Sequence, residues 1–191
     1  MRFQTLRVDR TDHILSVTID RPDKLNALSD VVLGELAEVC TKASPDLRGM
    51  LIAGAGDQLG DVLAEPAERE AFVGRHLAHA LDVGAGDERA IYTGRDVGAQ
   101  EAQRIGLVNA VYATRGAMLG AARETLTVIA QRGPVAVATC KEILRSLEGK
   151  STAAQLAVEN AGFGRVFTTD DKREGVTAFL AKRPPSFSGR S

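Results

Sequence analysis

Few side chains in this sequence stand at spacings that could do chemistry. Gly54 and Gly56 follow an apolar run, as in a dinucleotide-binding turn, but the third glycine of that fingerprint would fall at position 59, which is leucine. Gly149-Lys150-Ser151 matches the end of a phosphate-binding P-loop, yet its leading glycine would stand at 144, also a leucine, with no strand before it. His76 and His79 are three apart on one predicted helix, and with His13 they offer no third ligand at zinc spacing, so all three read as solvated or partly packed. Cys40 and Cys140 have no electropositive neighbour except Lys141 and read as core packing rather than as reactive thiols. There is no Gly-x-Ser-x-Gly elbow for an esterase nucleophile. What remains is the loop Asp20-Arg21-Pro22-Asp23-Lys24-Leu25-Asn26-Ala27-Leu28-Ser29, where proline, Asp and Asn favour turns around one lysine.

The elements that must position this loop can be read from periodicity. Leu6 and Val8 alternate with polar residues, Asp9-Arg10-Thr11-Asp12 reads as a turn, and Leu15, Val17 and Ile19 alternate again, giving a β-hairpin with one buried face. Ser29 suits the N-cap of a helix over about 30–43, with Val32, Leu33, Leu36, Val39 and Cys40 as its apolar stripe. Residues 47–53 form a nearly continuous apolar run that predicts a strand covered on both faces, closed by Gly54-Ala55-Gly56-Asp57. Helical patterns follow at about 64–82, 88–93 and 98–105, the last stopped by Gly106, and an apolar stretch at 107–111 could flank the sheet. Four further helices are predicted over about 115–131, 134–147, 151–167 and 170–182, the last with Thr169 as cap and Pro184-Pro185 beyond it. The chain therefore divides into a β-containing part, 1–96, and a helical part, 97–191.

Composition narrows the class. In 191 residues, 44% hydrophobic and 26% charged, a folded chain is expected rather than disorder. Twenty-four basic against 25 acidic side chains give a formal net charge of −1, which offers no basic field for nucleic acid. Apolar runs such as Met50-Leu51-Ile52-Ala53 fall far short of the roughly 20 residues needed to cross a bilayer. Arg2, Gln4, Thr5 and Arg7 interrupt any signal-peptide core, and two cysteines are too few for a disulfide framework, so a reducing cytoplasm is the expectation.

The loop at 20–29 also carries a resemblance. A strand ending in Arg21-Pro22, then Lys24-Leu25-Asn26-Ala27-Leu28-Ser29 and an amphipathic helix, resembles the opening signature of the enoyl-CoA hydratase/isomerase (crotonase) family. Three more segments fall in the family's order. Leu51-Ile52-Ala53-Gly54-Ala55-Gly56-Asp57 resembles its third strand. Tyr92-Thr93-Gly94-Arg95, with Ala99-Gln100-Glu101-Ala102 and Arg104-Ile105-Gly106-Leu107-Val108-Asn109, resembles the stretch leading into its C-terminal helices. Glu174-Gly175-Val176-Thr177-Ala178-Phe179-Leu180-Ala181-Lys182-Arg183-Pro184, then Phe187 and Gly189, resembles its last helix and tail.

The resemblance implies an α/β fold, a crotonase-type ββα spiral core followed by a C-terminal helical region that builds a homotrimer or a dimer of trimers. It implies chemistry on acyl-CoA thioesters, most simply hydration of a 2-enoyl-CoA, with no metal and no redox cofactor, CoA being part of the substrate. An isomerase, dehydratase or hydrolase of the same family is the alternative within the class. Such reactions pass through an enolate, and backbone N–H pairs aimed at the thioester oxygen stabilise it by a few kcal/mol each, as about 3–4 in a typical case. By the same resemblance Lys24, Leu25 and Ala27 meet the CoA nucleotide, and Phe179 and Lys182 close over CoA from a neighbouring subunit. The chemistry agrees, since phosphates suit an ammonium group and adenine an apolar edge or an aromatic face.

The sequence also departs from the family in two places. After Gly56-Asp57-Gln58 the family continues with a loop supplying the first oxyanion N–H, whereas here Gln58 runs into Leu59-Gly60-Asp61-Val62. After Asp82 it continues with a central block bearing the second oxyanion N–H and the paired glutamates, whereas here Val83-Gly84-Ala85-Gly86-Asp87 follows at once. No catalytic residue is carried over. Either the protein holds segments at these joins that this sequence omits, or the chain is a non-catalytic CoA-binding or assembly relative. Loss of core strands would expose a large apolar patch, which favours the first. A helical interaction module built on 115–182 alone is a third and lesser reading.

Overall fold

In the computed structural model, which describes residues 3–56, 95, 97–147 and 149–190, the alternation at the N-terminus builds a hairpin. Strands β1 (Leu6–Thr11) and β2 (Ile14–Ile19) pair antiparallel, with Leu6 opposite Ile19 and Val8 opposite Val17. Pairing persists to Thr11 and Ile14, so the turn is Asp12-His13 rather than the predicted 9–12. Asp12 takes the left-handed conformation, φ 52°, which an aspartate tolerates better than most residues. Asp9, Arg10 and Thr11 stay in the strand because an exposed outer strand accepts polar side chains without penalty.

Helix α1 (Asp30–Thr41) starts where Ser29 predicts, its hydroxyl accepting from the Val32 amide at 3.5 Å. Its buried line is narrower than the stripe read from the sequence. Val32 and Val39 are fully or nearly fully buried with Leu36 packed beside them, whereas Leu33 and Cys40 are exposed. Positions 32, 36 and 39 repeat at helical spacing, and 33 and 40 each lie a further 100° round, off the sheet. Leu6, Val17, Ile19, Val32 and Val39 form one apolar cluster, and each valine buried in this way contributes about 1.5–3 kcal/mol. Glu35 ties the approach to β1 onto α1, accepting the Gln4 and Thr5 amides at 2.6 and 3.0 Å.

Strand β3 (Gly49–Gly54) joins β2 in parallel, giving the order β1-β2-β3. It is an outer strand among the described residues, and Ile52 is 42% exposed, so the expectation of cover on both faces is not met there. Helix α2 (Ala99–Arg104) is shorter than predicted, and the chain leaves it through Gly106, φ +75°. The stretch 107–111 forms no strand; it folds back on α2, where Val97, Ala102 and Val108 make a second small cluster. The predicted helices at 64–82 and 88–93, and the joins at 58/59 and 82/83, lie outside the described residues.

The chain forms two compact units, Met1–Glu124 and Thr125–Ser191, the boundary falling within helix α3 (Arg115–Ala130). In the second unit, Gly133 and Pro134 open α4 (Pro134–Ser146), and Ser151 caps α5 (Thr152–Phe167) through the Ala154 amide at 3.4 Å. Thr169 caps α6 (Asp170–Leu180) through the Lys172 amide at 3.2 Å. Gly162 lets α5 approach α4, since a Cβ there would stand 2.5 Å from Ile143 Cδ1. Cys140 on α4 is exposed, like Cys40, so neither thiol packs in a core. No helix among the described residues is long and apolar enough to cross a membrane.

Candidate functional site

The loop from Asp20 to Ser29 leaves the C-terminal end of β2 beside the C-terminal end of its parallel neighbour β3. In open α/β sheets such strand ends are where ligands collect. Pro22–Lys24 forms one turn of 3-10 helix, after which Leu25 and Asn26 both take left-handed backbone, φ 51° and 54°. Two such residues in succession reverse the chain sharply. Asn26 makes the reversal possible: its Oδ1 accepts the Arg21 amide at 2.9 Å, its Nδ2 donates to the Ala55 carbonyl at 2.8 Å, and it is 5% exposed. Arg21 closes the far side, its guanidinium donating to the Ala27 carbonyl and to Ser29 Oγ, both at 3.0 Å. The loop is therefore fixed to the end of β3 on one side and to the cap of α1 on the other.

With Asn26 turned inward, Lys24, Leu25 and Ala27 stand exposed around it. These three residues, already neighbours in the sequence, share one exposed loop surface. Sequence reasoning passed over Asn26 and Arg21, although an asparagine inside a turn is the residue most able to hold left-handed backbone while satisfying buried polar groups.

Phe179 and Lys182 lie in the second unit. Phe179 is 81% exposed near the end of α6, and Lys182, two residues past it, is exposed in left-handed backbone with φ 51°. The described side chains include no group of histidine, cysteine or acidic residues able to hold a metal ion. His13 lies on the β1–β2 turn with Nδ1 3.0 Å from the Asp46 carbonyl oxygen; His76 and His79 are outside the described residues.

A cavity of about 210 Å³ opens on the polar face of the sheet, between Ser16, Thr18 and Ala53 and the α3 residues Arg115, Leu119 and Arg123. It is smaller than the roughly 300–1,000 Å³ that enclose a drug-sized ligand. Arg7 at its edge is paired with Asp20 at 3.1 Å, and the Arg115 guanidinium donates to the Gly54 carbonyl. Those arginines brace the loop and the end of β3.

Hairpin, parallel third strand, signature loop and C-terminal helices together define an α/β chain of the crotonase fold. The family model described as enoyl-CoA hydratase/isomerase matches residues 71–190, and the chain belongs to that family. A probable enoyl-CoA hydratase of Mycobacterium tuberculosis is 26% identical in an alignment of 258 residues that runs through 100% of both chains. That span exceeds the 191 residues here, so this chain passes over positions which its relative fills. The 2,3-dehydroadipyl-CoA hydratase of Escherichia coli is 34% identical over 102 residues, covering 53% of this chain and 40% of that protein. The crystal structure of an enoyl-CoA hydratase from Bacillus anthracis shares the fold with a TM-score of 0.79 at 24% identity, covering 98% of this chain and 100% of that one.

Proposed function

We propose that this family member is an enoyl-CoA hydratase, adding water across the double bond of a 2-enoyl-CoA through an enolate of the thioester. Its substrate is an acyl-CoA, and it uses neither a metal nor a redox cofactor. The CoA nucleotide lies against the loop at Lys24, Leu25 and Ala27, where an ammonium group can meet phosphate and Leu25, 43% exposed, offers an apolar edge. Phe179 and Lys182 of a neighbouring subunit cover it in a homotrimer or dimer of trimers. Exposed Leu156, Phe163 and Phe167 on α5 support such assembly, since apolar side chains of this size in one region mark interaction surfaces. The cytoplasm, where acyl-CoA turnover and reduced thiols coexist, is the proposed location.

One observation carries this reading: the family's signature loop is present and tied to Arg21 and Ala55 by Asn26, with Lys24, Leu25 and Ala27 all exposed at the strand ends. Crotonyl-CoA hydration, followed by loss of the conjugated enoyl absorbance, is measured beside CoA binding on protein whose intact mass is compared with the 20.3 kDa of this sequence. Turnover together with binding is expected. Binding without turnover would overturn the hydratase reading and leave a CoA-binding or assembly subunit; absence of both would overturn the acyl-CoA reading itself.

A further inference from the structure

The end of α6 is held by a clamp outside the helix. After Leu180 the chain turns through Ala181 and Lys182, with the Lys182 amide donating to the Phe179 carbonyl at 3.1 Å and the Arg183 amide to the Ala178 carbonyl at 3.0 Å. This left-handed exit is ordinarily given to glycine, because a Cβ crowds it. Here a lysine occupies it, φ 51°. The next residue supplies the hold. The Arg183 guanidinium makes two parallel bonds to Glu174, Nη1 to Oε1 at 2.7 Å and Nη2 to Oε2 at 2.8 Å, and Glu174 Oε1 also accepts the Ser186 amide at 2.7 Å. Paired bonds of this kind fix direction as well as distance. Downstream, Asp171 accepts the Ser188 and Gly189 amides at 2.7 and 3.0 Å, and Phe187 packs over Gly175. Two carboxylates of α6 thus hold the segment that follows it along the helix's own flank. Lys182 is exposed between the end of α6 and the clamped Arg183, so the path of its backbone is set by the clamp and not by packing of its own side chain.

We infer that Glu174, acting through Arg183, is a positioning residue that presents Lys182 to the CoA moiety. This inference rests on the CoA reading proposed above for Lys182. It is tested on the full chain by calorimetric titration with free coenzyme A, in a cycle of Glu174→Ala, Lys182→Ala and the double variant, with circular dichroism confirming the fold. Lys182→Ala should weaken binding roughly tenfold, the size of one charge-assisted contact. Glu174→Ala should weaken it by a similar factor although Glu174 touches no ligand, and the double variant should be no weaker than Lys182→Ala alone, because both changes remove one presented group. Glu174→Gln, which keeps acceptor oxygen for Arg183 and Ser186 and folds if the alanine variant does not, should lose less. Unchanged affinity in Lys182→Ala defeats the CoA reading. A loss there with none in Glu174→Ala and Glu174→Gln, or losses that add in the double variant, defeats the positioning role alone.

Discussion

Asn26 Nδ2 donates to the Ala55 carbonyl at 2.8 Å across 29 residues of sequence, joining the signature loop to the exit of β3. The same side chain accepts the Arg21 amide, so one buried amide satisfies two backbone groups while its own backbone stays left-handed. Replacing it with alanine leaves both groups unpaired and places a Cβ without compensation in a disfavoured conformation. Asn26→Ala should lower unfolding free energy by about 2–4 kcal/mol, and Asn26→Gly, which relieves the backbone, by less. Urea denaturation checks both, and equal losses would show that backbone conformation plays no part.

Lys24 is exposed on this loop, and its side chain makes no hydrogen bond or ion pair among the described residues. Lys24→Ala should leave stability within about 0.5 kcal/mol of the parent. Under the proposed function it should weaken coenzyme A binding roughly threefold to tenfold, with the difference shrinking as salt screens the phosphates. Titrations at two ionic strengths measure this, and an unchanged dissociation constant at low salt would remove Lys24 from the site.

Two carboxylates set an acid limit. The Arg183 guanidinium first, then the Ser186 amide, hold Glu174 down to about 2 from an ordinary 4.5. The Ser44 hydroxyl first, then the Arg10 guanidinium, hold Asp46 down to about 2 from 3.8. A carboxyl that ionises more readily folded than unfolded stabilises the fold above its unfolded pKa and loses that contribution as pH falls through its folded value. The contribution is therefore complete above about pH 4.5 and disappears toward pH 2. Thermal midpoints followed through that window should fall, and less steeply for Glu174→Gln and Asp46→Asn; a fall of unchanged steepness in the double variant would refute the assignment.

Two glycines of α5 differ in what surrounds them. Gly164 faces open space, so Gly164→Ala should gain about 0.5–1 kcal/mol from helix propensity. At Gly162 the added carbon would press on Ile143 Cδ1 and stand 3.1 Å from Thr139 Cγ2, so overpacking opposes the same gain. Gly162→Ala should come out at least about 1 kcal/mol less stable than Gly164→Ala by chemical denaturation. Equal midpoints would mean that α4 and α5 separate freely at this point.

Much of the fold was legible before the structure, wherever the signal was local. Leu6 and Val8 against Val17 and Ile19 mark a one-sided hairpin through period two alone. Ser29 and Thr169 mark two helix starts because each offers an oxygen to an amide that has no partner within its helix. The stripe of α1 was over-read at Leu33 and Cys40 because hydrophobicity shows which residues could be buried, while the narrow contact with the sheet decides which are. The same difference undoes the reading of Cys140 as core and of β3 as covered on both faces.

The candidate site divides along the same line. Local pattern supplies the loop's composition and its family likeness, and it singles out Lys24, Leu25, Ala27, Phe179 and Lys182 as candidates. Folding adds that Asn26 turns inward to Ala55, that β3 lies parallel to β2 so that the loop sits at two strand ends, and that Glu174 and Asp171 hold the segment beyond α6. The physical reason is range. Periodicity and capping are settled within a turn or two of chain, but the partner of a buried amide or a clamping carboxylate is whichever group folding brings within about 3 Å, and no local pattern names it.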